Sequence, residues 1–363
     1  MHTTRSHMRR RGARGTLMGH VGRAPLRPRP RRAAPPPAEP QVSQEELRRQ
    51  AEIERELLLA RDIQQGLLLE AVPRLAGWEI SAVSLPARDL GGDLYDFLPL
   101  GDGWQGIMIG DVSGKGLPAA LRMAVARTVF RHEARRGHAP GHTLAAVNRG
   151  VISEIPQGMI TMLYAMLDTR AGVLRLANAG HNYPVVINGR VCELELTGLP
   201  LGVDGDSDYE EVSTVLGPGD TVLLYTDGVV EATNHAEEYF GFERLARLLS
   251  ERPNMKPRAL MQALLHELRT WSASGQADDI TVVVLRRRLE RLDAELRSIA
   301  DDVLGPERAA QLWAGLDLPS ADAPADAWAE ALPEVIRVVQ GRFGRGLARE
   351  LNGQLRLALE EYR

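Results

Sequence analysis

Aspartates recur at the ends of apolar runs in this chain. Asp93 follows Gly91-Gly92. Asp111 closes the run Gln105–Gly110 and leads into Val112-Ser113-Gly114-Lys115-Gly116. Asp227 follows Thr221–Tyr225, and Asp278-Asp279 immediately precede Ile280–Leu285. A fifth stretch, Asn178-Ala179-Gly180-His181, lies among them. A lone Asp-Gly marks a turn, but Asp93, Asp278 and Asp279 are not followed by glycine. A fold that gathers these strand ends would bring several carboxylates to one place. Carboxylate oxygens suit Mg²⁺ and Mn²⁺, and a pair of such ions can clamp a phosphoryl group. That chemistry needs one bridging carboxylate. Asp111 is the best candidate, because Gly114 and Gly116 leave room for a ligand beside it.

The sequence around these residues predicts an α+β fold. Strands are expected at Trp78–Leu85, Tyr95–Leu100, Trp104–Asp111, Ile160–Asp168, Val173–Ala177, Val185–Ile187, Val191–Leu196, Glu210–Leu216, Thr221–Tyr225 and Ile280–Leu285. Gly101-Asp102-Gly103 and Asn188-Gly189 signal hairpin turns. Helical spacing covers Leu117–Arg136, Thr143–Ile155, Phe242–Ser250 and Pro257–Ser272. Helices cannot sit between hairpin strands, so they must cover outer faces. The economical arrangement is an αββα sandwich of two antiparallel sheets over residues 73–288. Residues 289–363 read as a helical extension of unknown role, with helical spacing in Leu289–Val303 and Ala331–Tyr362. Residues 42–72 read as a regulatory helix. Its positions Ile53, Leu57, Ala60, Gln64 and Leu67 follow the seam spacing of a coiled coil. The stripe suits either packing on the next domain or a homodimer through residues 47–67. Gln64 on the seam would keep any such coil short.

Charge is divided unevenly. Residues 1–41 read as a disordered basic Arg/Pro-rich arm, as an upstream stretch outside the translated protein, or as a basic arm for an anionic partner. Residues 1–40 hold ten arginines and one acid, Glu39, whereas the remainder holds 34 basic and 47 acidic residues. So acidic a body argues against nucleic acid as its substrate. The single cysteine, Cys192, rules out an internal disulfide framework and a cysteine zinc cage and suits a cytoplasmic protein. No apolar run approaches the length of a transmembrane helix. Gly110–Gly116 is not a Walker loop, since Ile109 and Gly116 stand where that motif needs glycine and Ser or Thr. Lys115 is read as a helix-start, substrate-facing or plain surface cation.

In order, Gly91-Gly92-Asp93-Leu94-Tyr95-Asp96, Gly110–Gly116, Asn178–His181, Asp227-Gly228-Val229-Val230-Glu231-Ala232 and Asp278-Asp279-Ile280-Thr281 resemble the motif series of bacterial metal-dependent protein phosphatases. The branch is that of the sporulation phosphatase SpoIIE and the stress-response phosphatase RsbU. The resemblance covers roughly residues 56–285. It implies an αββα serine/threonine phosphatase with two Mn²⁺ or Mg²⁺ ions. By motif position Asp111 would bridge the ions and the Val112 carbonyl would bind one. Asp93, Asp227 and Asp278 would complete the shells, with Asp279 a metal or outer residue. The resemblance also implies a phosphorylated protein substrate, an anti-sigma-factor antagonist in a partner-switching pathway. Eukaryotic members often carry histidine where this chain has Ser113; His181 is the nearest substitute, read mainly as a loop-stabilising residue. The competing readings are a small-molecule phosphoesterase, favoured by a deep closed pocket, and a non-catalytic binding module.

Overall fold

Strand parity explains the architecture. In Trp104–Val112 (β3), Ile107 and Ile109 join one buried cluster while Met108 and Val112 join another. A strand apolar on both faces must be covered on both faces. The same holds for Leu94–Gly101 (β2), Thr221–Tyr225 (β9) and Ile280–Arg287 (β10). The computed structural model describes residues 44–67, 72–155, 158–252, 255–272 and 275–362. The basic arm lies outside them. The chain divides into two compact units, 1–48 and 49–363; of the first, only residues 44–48 are described.

Within the second unit two five-stranded antiparallel sheets stack. One has the order β1-β10-β9-β6-β7, with β1 Trp78–Leu85, β6 Val185–Ile187 and β7 Val191–Glu193. The other is β2-β3-β4-β5-β8, with β4 Ile160–Asp168, β5 Val173–Ala179 and β8 Glu211–Val215. Phe97, Ile107, Ile109, Leu163, Leu176, Val222, Leu224, Val283 and Leu285 fill the space between them. Helices Leu117–Ala134 (α2) and Pro140–Glu154 (α3) cover the outer face of the β3 sheet, and Gly241–Ser250 (α4) and Pro257–Trp271 (α5) cover that of the β10 sheet. This is the αββα sandwich expected, with strand ends either as expected or shifted by at most three residues. Asp111, expected as the last residue of β3, is its penultimate residue and pairs with Thr161.

Helix α1 spans Gln44–Leu67. Leu57, Ala60, Arg61, Gln64 and Leu67 form its less exposed side, while Leu47, Ile53, Leu58, Leu59 and Ile63 are exposed. The C-terminal extension folds as Leu292–Leu304 (α6), Pro306–Ala314 (α7), Ala325–Phe343 (α8) and Arg345–Glu361 (α9) around a core of its own, which includes Leu296, Ile299, Leu312, Trp328, Val339 and Leu351. The single helical stretch expected from Ala331 to Tyr362 is in fact two helices. They break at Gly344, whose φ of 98° lies in the left-handed region. Among the described residues no helix is long and apolar enough to cross a membrane.

Candidate metal centre

Register brings Asp93 and Asp111 together. Leu94 pairs with Gly110 across β2 and β3, so one step further along the antiparallel pair Asp93 faces Asp111. By parity both side chains lie on the face that packs against the other sheet, at the end of the sandwich where it opens. Asp93 is buried, and its Oδ2 accepts a hydrogen bond from Thr226 Oγ1 at 2.7 Å. Thr226 in turn is tied to β10: its Oγ1 accepts from Thr281 N at 2.9 Å, and its N–H donates to Thr281 O at 3.0 Å. The carboxylate that leads into β2 is thus anchored to the segment just after β9 and, through it, to β10.

Asp227 follows directly, in a single 3₁₀ turn over Asp227–Val229. Gly228 permits the turn to lie against the entrance of β10, because a Cβ there would stand 1.9 Å from the Asp279 carbonyl. Gly92 does the same on the other side: a Cβ would stand 2.7 Å from the Val112 carbonyl and 3.4 Å from Asp111 Oδ1. The motif glycines are therefore points of backbone approach that let four separate segments meet.

The acids raise one another. Burial pushes the Asp93 carboxyl well above its ordinary range, and the Asp111 charge adds to this; hydrogen bonds from Thr226 and Thr281 offset part of it. Burial, then the charges of Asp227 and Asp278, push Asp111 up to about 6. Asp227 is raised by burial, Glu231 and Asp278, with Lys115 working against them. Lys115 Nζ stands 2.9 Å from Asp278 Oδ2 and donates to the Ala277 carbonyl at 2.8 Å, half-exposed at the rim. One lysine does not balance four carboxylates.

Asp279 is placed differently. Its Oδ1 accepts from Ala87 N at 2.7 Å and its Oδ2 from Gly92 N at 2.6 Å. Both oxygens hold the backbone of the loop that carries Asp93. His181 is buried, and burial lowers its pKa to about 4, so the ring is neutral at neutral pH. Its Nδ1 meets Thr161 Oγ1 at 2.8 Å, and Asn178 brackets its backbone: Oδ1 accepts from His181 N, and Nδ2 donates to His181 O. Ser113 pins the loop after β3 to Met159 through reciprocal hydrogen bonds of 2.9 and 3.0 Å.

Some participants were not legible as such. Asp96, in the first motif, faces away from the site and is held by Arg127 at 3.0 Å and Arg131 at 2.8 Å, both on α2. Gln64, a seam position by spacing, is buried against Gly91. The one histidine pair at i, i+4, His138 and His142, is exposed.

The family described as Stage II sporulation protein E (SpoIIE) matches residues 101–288. This chain belongs to that family. It stands in the SpoIIE/RsbU branch of the PPM superfamily of metal-dependent phosphatases. It is 33% identical over 246 residues to phosphoserine phosphatase RsbU of Bacillus subtilis, covering 66% of this chain and 72% of RsbU. It is 31% identical over 266 residues to protein IcfG of Synechocystis, covering 64% of this chain but 41% of IcfG. Among solved structures, the SiaA-PP2C domain of Pseudomonas aeruginosa superposes with a TM-score of 0.60 at 25% identity, covering 67% of this chain and 99% of that domain. Asp111, Val112, Asp227, Asp278 and Asp279 fall inside the SpoIIE match, while Asp93 lies just before it.

The polar atoms that these segments offer are oxygens only: the carboxylates of Asp93, Asp111, Asp227 and Asp278, with the Val112 carbonyl against Gly92. Hard divalent cations fit such a set, and shared negative charge is what a bound cation would neutralise. Among the described residues no three His, Cys, Asp or Glu side chains converge tightly enough to form a ready metal cage. The acids surround a shared field and would have to close on an ion.

Proposed function

We propose that this chain is a metal-dependent protein-serine/threonine phosphatase. The observation that carries the reading is the facing pair of carboxyls, Asp93 buried and Asp111 half-buried, short of cations. In this reading Asp111, Asp93, Asp227, Asp278 and the Val112 carbonyl would hold two Mn²⁺ or Mg²⁺ ions, with Asp111, flanked by the other acids, shared between them. Asp279 acts from outside, because its oxygens are engaged by the Ala87 and Gly92 amides. Bound there, the ions would supply Lewis-acid neutralisation of phosphoryl oxygens and a more acidic water.

The chain's own residues supply placement and access. Thr226 and Thr281 orient Asp93. His181 is neutral and serves the loop, not proton transfer. Lys115 stands at the rim, where a cation can meet the phosphate dianion of an arriving substrate. The Asp278 side chain is 43% exposed, so the site opens outward. That accessibility favours a phosphoserine or phosphothreonine on a protein surface over a small molecule enclosed in a pocket. Likeness to RsbU supports a phosphorylated anti-sigma-factor antagonist as the substrate and partner switching as its context. The exposed apolar residues of α1 support a homodimer through residues 47–67. We divide the chain by role into the basic arm (1–41), the regulatory helix (42–72), the phosphatase domain (73–288) and the helical extension (289–363), and place its action in the cytoplasm.

The test is phosphate release from a phosphoserine peptide with Mn²⁺. The wild type should turn over and Asp111→Asn should lose at least about a hundredfold, the scale of removing one preorganised electrostatic group. Equal, metal-independent rates in the two proteins would defeat the reading.

A further inference from the structure

We propose that Gln64 is a positioning residue for the metal centre: it fixes the Gly91–Gly92 turn that presents Asp93, and so ties helix α1 to the site. The inference rests on the phosphatase reading above and adds to it a residue on an element outside the sandwich.

Gln64 is the one buried residue of α1, at 8% exposure. Its amide brackets a single residue 27 positions away. Nε2 donates to the Gly91 carbonyl at 2.7 Å, and Oε1 accepts from Gly91 N at 3.3 Å. The β2–β3 ladder begins only at Leu94, so Gly91 lies outside its pairing. The adjoining peptide is held from the opposite direction by Asp279, which accepts from Gly92 N. The turn is therefore gripped by α1 on one side and by the entrance of β10 on the other. There is no slack between the grips, since a Cβ on Gly91 would stand 2.7 Å from Asp279 Oδ2. Two residues on, Asp93 faces Asp111.

Packing alone does not call for glutamine here. Leu57, Ala60, Arg61 and Leu67 are the partly buried residues beside it, and leucine at this position would extend the apolar part of that side. A buried amide is tolerated only when its hydrogen bonds are made, and all that it makes here go to Gly91. Replacing it by leucine keeps the bulk but strands two backbone groups.

The experiment uses the full chain with Gln64→Leu, and with Gln64→Asn, which keeps the amide but is one methylene too short. Three quantities are read: hydrogen exchange at the Gly91 and Gly92 amides, Mn²⁺ affinity by calorimetry, and phosphate release as a function of Mn²⁺. Each variant should exchange about tenfold faster at these amides and bind Mn²⁺ about tenfold more weakly, the worth of a buried hydrogen bond. Lost turnover should return at saturating Mn²⁺, with KM for the phosphopeptide unchanged. Wild-type exchange and wild-type Mn²⁺ affinity in a folded variant overturn the proposal, even if turnover falls. If Gln64→Leu does not fold, Gln64→Asn decides by the same criteria. Absence of turnover in the wild type would count against the phosphatase reading alone, because exchange and metal binding still judge Gln64.

Discussion

Two charge clusters, one buried and one open at its rim, lie at opposite ends of β10, roughly 20–25 Å apart at the rise of a strand. At its start, Asp278 and Asp279 meet Asp93, Asp111 and Asp227, with Lys115 as the cation that faces them. At its end, Arg286 and Arg288 meet Lys256, Glu79 and Glu295. Lys256 Nζ pairs with Glu295 and lies 3.5 Å from Glu79. Lys256 N donates to Asp302, and Tyr362 donates its hydroxyl to the Leu289 carbonyl. This second cluster joins the sandwich to the C-terminal helices, and in it cations and carboxylates are matched. The effect on the acids differs accordingly. Burial would raise Glu295, but Lys256 and Arg286 outweigh it and hold its carboxyl below the ordinary range. At the other end burial and like charge act together, and Asp111 rises to about 6. One cluster is neutralised by the protein's own residues and the other is left acidic, and it is this imbalance that supports the proposal of a cation at the second.

The comparison can be broken first at the balanced end. Glu295→Ala should cost about 3–5 kcal/mol, the range for removing one partner of a buried pair, read by urea unfolding. A loss below about 1 kcal/mol would mean that the cluster is not a junction. At the acidic end the sign reverses. Asp111→Asn should stabilise the metal-free protein by roughly 1–3 kcal/mol, since it removes a carboxylate whose ionisation the fold opposes. Destabilisation instead would show that its charge is already compensated.

The two ends also answer pH in opposite directions. Asp111 is raised, so the folded chain holds its proton while the unfolded chain has lost it. The stability this contributes is present below the ordinary carboxylate range and is lost as pH rises through about 6. Asp302, raised to about 6 by burial against the opposing Lys256 charge, has the same sign. Glu295 is lowered, so its contribution is present above the ordinary range and is lost as pH falls through its folded value. Glu295→Gln should therefore flatten the acid limb of a stability–pH curve measured without metal, and Asp111→Asn the limb between about 4 and 7. The smallest effect belongs to Lys115→Met. A half-exposed pair contributes little, so its melting temperature should stay close to wild type.

Sequence pattern reached the two-sheet sandwich because its strands advertise themselves twice, by β-branched apolar runs and by the turns between them. The aspartates were legible because each stands at one end of such a run. What joins them was not. Thr226 and Thr281 look like ordinary strand residues until the sheets stack and place them beside Asp93. Gln64 fits a helical seam by spacing, and only the tertiary position of Gly91 makes its amide necessary. Asp96 sits three residues from Asp93 in one motif, yet strand parity turns it to the opposite face, against Arg127 and Arg131. In the extension, Gly305-Pro306 and Gly344 are helix-boundary residues, but Gly341 and Gly346 offer the same break, and only the φ of 98° at Gly344 picks it out. Glu295 and Lys256 are 39 residues apart, a separation at which charge complementarity leaves no local trace.

The central claim is that the acidic end is built for divalent cations, and calorimetric titration with Mn²⁺ at pH 7.5 tests it most directly. The wild type should bind Mn²⁺, and Asp111→Asn should lose most of that affinity while remaining folded. No binding to the wild type, or equal binding to the two proteins, would contradict it.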